Sequence, residues 1–248
     1  MDLELLDKRV FITGASSGIG AAAARVFAEE GADVFFSYHQ NAEGARRTAD
    51  TVKARGRQAH QYQMDVSRPE NVAEVVRHVH EDVDALDILV LCAGLSVVTP
   101  LEDITPGEWD RVLGVNLSGA FFVIQAFAPR LRDGGAIVTV ASVAAHTGVP
   151  HHVHYAAAKA GLINLTKSTA RALAPRLRVN CVAPGITLTP MGKDTTDALP
   201  ADYARTKLLV QRYASPEEVA RCIVFVASPV AGFMTGATID INGGRDLR

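Results

Sequence analysis

Along this chain, short runs of β-branched and apolar residues alternate with longer stretches in which apolar positions recur at helical spacing. Runs of the first kind lie at 10–13, 33–37, 88–92, 136–141, 179–183 and 237–241, with a weaker one at 58–64, and they predict seven strands. Between them the helical period occupies 18–30, 42–55, 69–83, 106–131, 155–174 and 216–227. Proline stands near the start of three of these stretches, where its missing N–H costs least. Such alternation produces a parallel sheet covered by helices on both faces. The expected fold is therefore α/β, a doubly wound, mainly parallel sheet in one domain spanning 1–248, since no repeat, low-complexity tract or linker divides the chain. The segment 186–212 stands apart. It is polar, with Thr187, Thr189, Lys193 and Asp194 ahead of a short helical pattern, and it follows a strand's carboxyl end, the edge at which open α/β sheets bind ligands. A lid is expected there.

After the first strand comes Thr13-Gly14-Ala15-Ser16-Ser17-Gly18-Ile19-Gly20, and then an alanine-rich helix. Glycines let a backbone turn tightly and approach a pyrophosphate, and the free N–H groups at a helix start attract its charge. Strand, glycine turn and helix in this order predict a dinucleotide site on a Rossmann-type fold. The glycine spacing differs from G-x-G-x-x-G. It resembles the TGxxxGxG signature of the short-chain dehydrogenase/reductase family, and the resemblance extends over nearly the whole chain. Asp65-Val66 is similar to the family's adenine contact, and Cys92-Ala93-Gly94 to its loop after the fourth strand. Asn116 and Ser142 fall at its polar catalytic positions, Tyr155 to Lys159 at its YxxxK motif, and Pro184-Gly185 at the turn before its substrate loop. Gly14, Ser16, Ser17, Gly18, Ile19, Gly20, Tyr38, His39, Asp65, Val66, Ala93, Gly94, Pro184, Gly185 and Thr187 are accordingly expected on the cofactor, with Tyr155 and Lys159 at its nicotinamide end. Among the family's branches the chain is most like the 3-oxoacyl-(acyl-carrier-protein) reductases.

Tyr155 and Lys159 are four apart, so on a helix both side chains share one face. A cation beside a phenol favours the phenolate and lowers the phenol's affinity for its proton, and Lys159 is expected to do this to Tyr155. The resemblance implies that Lys159 also bonds the nicotinamide ribose and that Asn116 holds a water linking the lysine to solvent. Ser142 follows an apolar strand and so stands at the sheet's carboxyl edge, where its hydroxyl can hold a substrate oxygen or cap a helix. Together these residues suit an oxidoreductase that interconverts a carbonyl and a secondary alcohol with a nicotinamide cofactor. The physiological substrate could be a 3-oxoacyl thioester, or a sugar, steroid or other alcohol. A regulator that binds the cofactor without turnover would have no need of the proton donor. No metal is expected, although His146, His151, His152 and His154 crowd the segment between Ser142 and Tyr155, which suits a substrate-facing or solvated loop.

Two departures from the family pattern stand out. The loop after the fourth strand reads Leu91-Cys92 where paired asparagines are usual, so whatever those amides hold must be held otherwise. The turn at 174–178 is also short, which is expected to alter packing beneath the substrate loop. Cofactor choice turns on the end of the second strand. An acid there binds the ribose hydroxyls of NAD and repels a 2′-phosphate, but this strand ends Ser37-Tyr38-His39-Gln40-Asn41. NADP(H) is preferred, with His39 and Arg46 or Arg47 as phosphate partners, and NAD(H) remains open.

A formal net charge of -2 offers no basic surplus for nucleic acid or an anionic membrane. The chain opens Met1-Asp2-Leu3-Glu4 without a secretory pattern, and no uninterrupted apolar run reaches the ~20 residues of a membrane span. A cytoplasmic protein with three reduced, core-bound cysteines is expected. Within 117–128, Phe121, Phe122, Val123, Ile124, Ala126 and Phe127 cover more than one helical stripe, and Ala157, Ala160, Leu162, Ile163 and Leu165 follow the YxxxK start. These faces predict a homo-oligomer, a tetramer by resemblance to the family.

Overall fold

The computed structural model describes residues 1–247; Arg248 lies outside the described residues. The strands are β1 (Arg9–Thr13), β2 (Asp33–Tyr38), β3 (Ala59–Gln63), β4 (Leu86–Leu91), β5 (Leu131–Val140), β6 (Arg178–Pro184) and β7 (Thr238–Ile241). They form one sheet in the order β3-β2-β1-β4-β5-β6-β7, with every adjacent pair parallel. The helices are α1 (Gly18–Glu29), α2 (Ala42–Lys53), α3 (Pro69–Asp82), α4 (Pro106–Leu113), α5 (Gly119–Phe127), α6 (Ala144–Thr147), α7 (Val153–Leu173), α8 (Pro190–Ala198), α9 (Tyr203–Lys207) and α10 (Pro216–Ala227). The doubly wound Rossmann-type architecture is as the sequence predicts.

Each face of the sheet carries its own core. On one side Val10, Ile12, Val34 and Phe36 meet α1, α2 and α10, and the alanines Ala22, Ala23 and Ala24 let α1 lie close to both sheet and α10. On the other, Phe11, Phe35, Leu89 and Ile137 meet α3, α5 and α7 through Val75, Val79, Val123, Phe127 and Leu162. The rings of Phe11 and Phe127 meet tilted, with centroids 4.4 Å apart. Because β1, β4, β5 and β6 are covered on both sides, their sequences read as nearly continuous apolar runs.

The long helix predicted over 106–131 is continuous from Pro106 to Arg130 but not regular. It runs as α4, a π turn at Gly114–Ser118, α5 and a closing 3-10 turn at Ala128–Arg130, and the chain is extended from Leu131 as the start of β5. The cause is Asn116. Its amide nitrogen donates to the Val112 carbonyl at 2.9 Å, the acceptor that a regular helix would reserve for its backbone N–H, and also to the Leu95 carbonyl at 2.7 Å. The stretch Pro106–Arg130 is long and apolar enough, by length and composition, to cross a membrane. Here it packs against α3 and α7 as a layer of the core.

The short turn at 174–178 is held by Arg176, whose guanidinium donates to the carbonyls of Leu131 at 2.8 Å and Ala128 at 2.7 Å. Arg178 does a larger job on the other face. It donates to the carbonyls of Val226, Ala227, Ser228, Ala231 and Met234, satisfying the open C-terminus of α10 and the turn after it. Residues 186–212 carry α8 and α9 beside the carboxyl ends of the strands, and the segment is anchored where Arg212 forks onto Glu218 of α10 at 2.8 and 2.6 Å. We expect Arg178→Ala to lower unfolding stability by about 2–4 kcal/mol, because several carbonyls lose their donor together. Chemical denaturation checks this, and a change below ~0.5 kcal/mol would show that water replaces the guanidinium.

Candidate active site

Strand order reverses between β1, whose crossover leads to β2, and β4, whose crossover leads to β5, so the loops leaving their carboxyl ends diverge. A cleft of about 810 Å³ opens there. Of the residues expected on the cofactor or in catalysis, Arg46 and Arg47 do not line it, and the rest do: the turn residues Gly14 to Gly20 apart from Ala15, then Tyr38, His39, Asp65, Val66, Ala93, Gly94, Asn116, Ser142, Tyr155, Lys159, Pro184, Gly185 and Thr187. Sequence reasoning did not single out Val115, Leu95, Ser96, Met191, Tyr203 or Arg245, which line it as well. These come from loops, from the π turn at Gly114–Ser118 and from the segment 186–212, and no local pattern marks them.

The phosphate end fits a dinucleotide. Gly14 has φ +70°, and a Cβ on it would sit 2.7 Å from the Ala93 Cα; a Cβ on Gly20 would sit 2.5 Å from the Gly14 carbonyl oxygen. Side chains are thus excluded where the turn passes β4 and where α1 passes the turn. No side chain caps α1, as is true also of α3, α5, α6, α7 and α9, whereas Asn41, Thr105, Thr189 and Ser215 cap α2, α4, α8 and α10. The first N–H groups of α1 are left for an anion. Thr48 donates to the Ala15 carbonyl at 2.8 Å and Ala15 N–H to Ser37 at 2.9 Å, fixing the turn.

At the adenosine end, Asp65 accepts from the Ser67 backbone at 3.0 Å and the Ser67 hydroxyl at 2.6 Å. Burial works against its ionisation, but these bonds and the charges of His39 and Arg68 hold its carboxyl below the usual value. His39 stands 3.8 Å from Asp65 and is 58% exposed. Arg46 and Arg47, expected as phosphate partners, are both engaged by Glu43 of their own helix at 3.6 and 3.0 Å. The i,i+3 and i,i+4 spacing satisfies them locally.

The asparagine pair missing after β4 has replacements. Ala93 N–H donates to the Thr13 hydroxyl at 3.0 Å, and Leu95 N–H to the Asn116 side-chain oxygen at 3.3 Å, so Asn116 clamps Leu95 through both its N–H and its carbonyl. Deeper in the cleft, the buried Lys159 ammonium donates to the Val140 carbonyl at 2.8 Å and lies 5.6 Å from the Tyr155 ring centroid. The Ser142 hydroxyl accepts from Ala144 N–H at 3.1 Å and hydrogen-bonds Tyr155. It closes a local turn ahead of α6, whose N-terminal cap is Val143, and stands beside the tyrosine. His154 is fully buried. Its Nδ1 accepts the Tyr155 backbone N–H at 3.0 Å and its Nε2 donates to Glu108 at 3.1 Å, pinning the start of α7 to α4. The histidine-rich segment is dispersed: His146 faces Asp240 at 3.8 Å, His151 is exposed, and His152 lines the cleft.

A model of the family described as Enoyl-(Acyl carrier protein) reductase matches residues 14–246. The chain is 37% identical to the 3-oxoacyl-(acyl-carrier-protein) reductase FabG of Staphylococcus aureus, over 96% of this chain and 98% of that one. It is 36% identical to the D-threitol dehydrogenase of Mycolicibacterium smegmatis, over 100% and 96%. A short-chain dehydrogenase from Burkholderia cenocepacia solved in complex with NADP superposes with a TM-score of 0.92 at 38% identity, covering 98% of this chain and 99% of that one. The chain belongs to the short-chain dehydrogenase/reductase family. It is an oxidoreductase that works between CH–OH and C=O with NAD(P) as the hydride carrier.

In this short-chain dehydrogenase/reductase the electrostatics of the tyrosine differ from the sequence expectation. Burial pushes the Tyr155 phenol above its ordinary value, with the Ser142 hydrogen bond pulling it back. Lys159 does not supply the depression, because its ammonium is turned onto Val140 and is itself discharged towards a pKa of about 8 by burial, an effect the sulfurs of Cys181 and Cys92 partly oppose. In the cofactor-free enzyme Lys159 is expected to titrate near 8 rather than at 10.5, read from the carbon-13 shift of the methylated lysine. Below that value the charge is buried in the folded chain at full cost; from about 8 to 10.5 the folded chain sheds the proton first and stability rises. A midpoint at or above 10.5 would overturn the assignment.

Proposed function

We propose that the enzyme is an NADPH-dependent reductase of 3-oxoacyl thioesters or closely similar ketones, acting in the cytosol as a homotetramer. The observation that carries the chemistry is the Tyr155 hydroxyl bonded to Ser142 above the buried Lys159, in the same cleft as the uncapped start of α1. A bound nicotinamide supplies the hydride to the carbonyl carbon. Ser142 and Tyr155 hold the carbonyl oxygen, and Tyr155 delivers its phenolic proton there as negative charge develops. A phenol kept protonated by burial suits donation in the reductive direction. Lys159 orients the ribose, while Asn116 fixes the Leu95 backbone over the site.

The 3-oxoacyl reading draws on the reductases of that name at 35–37% identity, and a polyol dehydrogenase is the second reading, favoured by the D-threitol dehydrogenase at 36%. NADPH is supported by the lack of an acid after Ser37 and by the NADP complex of the Burkholderia cenocepacia relative. With Arg46 and Arg47 paired to Glu43, discrimination rests on His39. Two separate apolar patches support the tetramer. Val123, Ile124 and Phe127 fill the monomer core, but Phe121 of α5 stays 43% exposed, and Ala157 and Ala160 of α7 are exposed as well. At the far edge of the sheet Phe233 is fully exposed and Phe225 and Val230 are each 38% exposed.

Tyr155→Phe is expected to cut turnover at least ~100-fold with cofactor affinity nearly unchanged, because only the transferable proton is lost. Wild-type rates in the purified variant would overturn the role. His39→Asp should move preference towards NADH by adding a charge that repels the 2′-phosphate; titrating both cofactors tests this, and tighter NADH binding by the unaltered enzyme would reverse the assignment. Light scattering over a dilution series should give the mass of four chains, whereas a single-chain mass at micromolar concentration would rule out the assembly.

A further inference from the structure

His152 immediately precedes α7, at its N-terminal cap position, and stands three positions before Tyr155. Its ring meets the Tyr155 ring edge-on with centroids 6.3 Å apart, and only 8% of the residue is exposed. It lines the cleft on the substrate side together with Val149, Leu95 and Met191. Yet the imidazole has no hydrogen-bond partner among the described residues: it gives no cap to α7, and its Nδ1 is sealed from solvent and unpaired. The neighbouring His154 shows what a satisfied histidine looks like here, with both ring nitrogens bonded. A polar ring kept in a nearly dry position without a partner costs stability, and such a cost is commonly met at sites that bind a ligand.

The ring's chemistry narrows the ligand. Burial first, and then the adjacent His154 and His151, push the imidazole below its ordinary pKa, so it is neutral and carries one N–H. Orphaned buried N–H groups are rarer than under-used acceptors. The proton therefore belongs on Nε2, the nitrogen left to face the cleft, with the sealed Nδ1 as a lone pair. His152 then presents a donor, not an acceptor, one helical turn from the hydroxyl that holds the reacting oxygen.

We infer that His152 is a specificity-determining residue whose Nε2–H binds a second oxygen of the substrate, carried on the carbon adjacent to the reacting carbonyl or on the next one. The preferred substrates are then carbonyl compounds with such an oxygen, either the thioester carbonyl of a 3-oxoacyl group or the hydroxyl of a hydroxyketone, and simple ketones are poor ones. This rests on the reading of the cleft as a carbonyl-reducing site and narrows it, because a site built around a hydrogen-bond donor rejects analogues that lack the acceptor.

The test compares acetoacetyl-N-acetylcysteamine, erythrulose and 2-pentanone as substrates of the full-length enzyme with NADPH, in the unaltered protein, His152→Phe and His152→Gln. Phe keeps the ring and removes the donor; Gln restores an N–H. The unaltered enzyme should favour one or both of the oxygen-bearing substrates over 2-pentanone. His152→Phe should lose at least ten-fold more kcat/KM on the favoured substrate than on 2-pentanone, mainly through KM, and His152→Gln should recover part of that difference. A larger loss on the thioester identifies the 3-oxoacyl group as the source of the second oxygen, and a larger loss on erythrulose identifies the hydroxyketone. Equal losses on all three in both variants would mean that His152 only packs against Tyr155, and would overturn the inference while leaving carbonyl reduction intact. No turnover of any carbonyl by the unaltered enzyme would overturn the reading beneath it, and the inference with it.

Discussion

A parallel strand cannot follow its neighbour directly, because the chain must travel back along the sheet before it can run the same way again. Every pairing here is parallel, so each strand is followed by a crossover, and the crossovers are the helices that close both faces. The direction of travel changes once, between β1 and β4. At that place alone two neighbouring strands send their loops apart, and backbone that elsewhere would be covered stands open. The glycine turn, the Ala93–Gly94 loop and the end of β5 all converge on the opening, and its existence follows from strand order rather than from any one of their residues.

Polar groups at the bottom of that opening are economically arranged. Asn116 takes an acceptor from its own helix and both polar groups of Leu95, so the helix is distorted into a π turn while the loop after β4 is held. Lys159 reaches the last carbonyl of β5, where a strand ends without a partner for it. His154 links α4 to the first turn of α7 and so determines how Tyr155 enters the cleft. The geometry of the tyrosine therefore depends on three contacts made by residues that do not touch its hydroxyl. The local bend at Asn116 is the clearest case of secondary structure giving way to a site.

The same arrangement explains why lysine and tyrosine do not influence each other as their spacing alone suggests. Four residues on a helix bring the two side chains to one face, but burial acts on both, opposing the charge of each. The ammonium meets a carbonyl instead of the phenol oxygen. What the pair offers in the cofactor-free chain is a protonated phenol and an easily discharged ammonium, both responsive to whatever enters the cleft.

Much of this protein was legible in the residue pattern because it is local. Periods of two and near four mark strands and helices, and glycines between β1 and α1 mark a turn that excludes side chains. Motif order brings Ser142, Tyr155 and Lys159 to one edge of the sheet. What the pattern could not carry is non-local. The π turn at Gly114–Ser118 accompanies a bond to a carbonyl of Leu95, twenty-one residues from Asn116 in the chain, and no window of helical period contains that contact. Arg46 and Arg47 looked free to meet a phosphate until Glu43 was found within reach of both. His152, one of four histidines in a short segment, became distinct only when His154 was seen paired and His152 was not. The sequence by itself determined the order of elements and the chemistry available at the sheet's edge; the tertiary structure decided which polar atoms are already satisfied, because that depends on neighbours brought together only by folding.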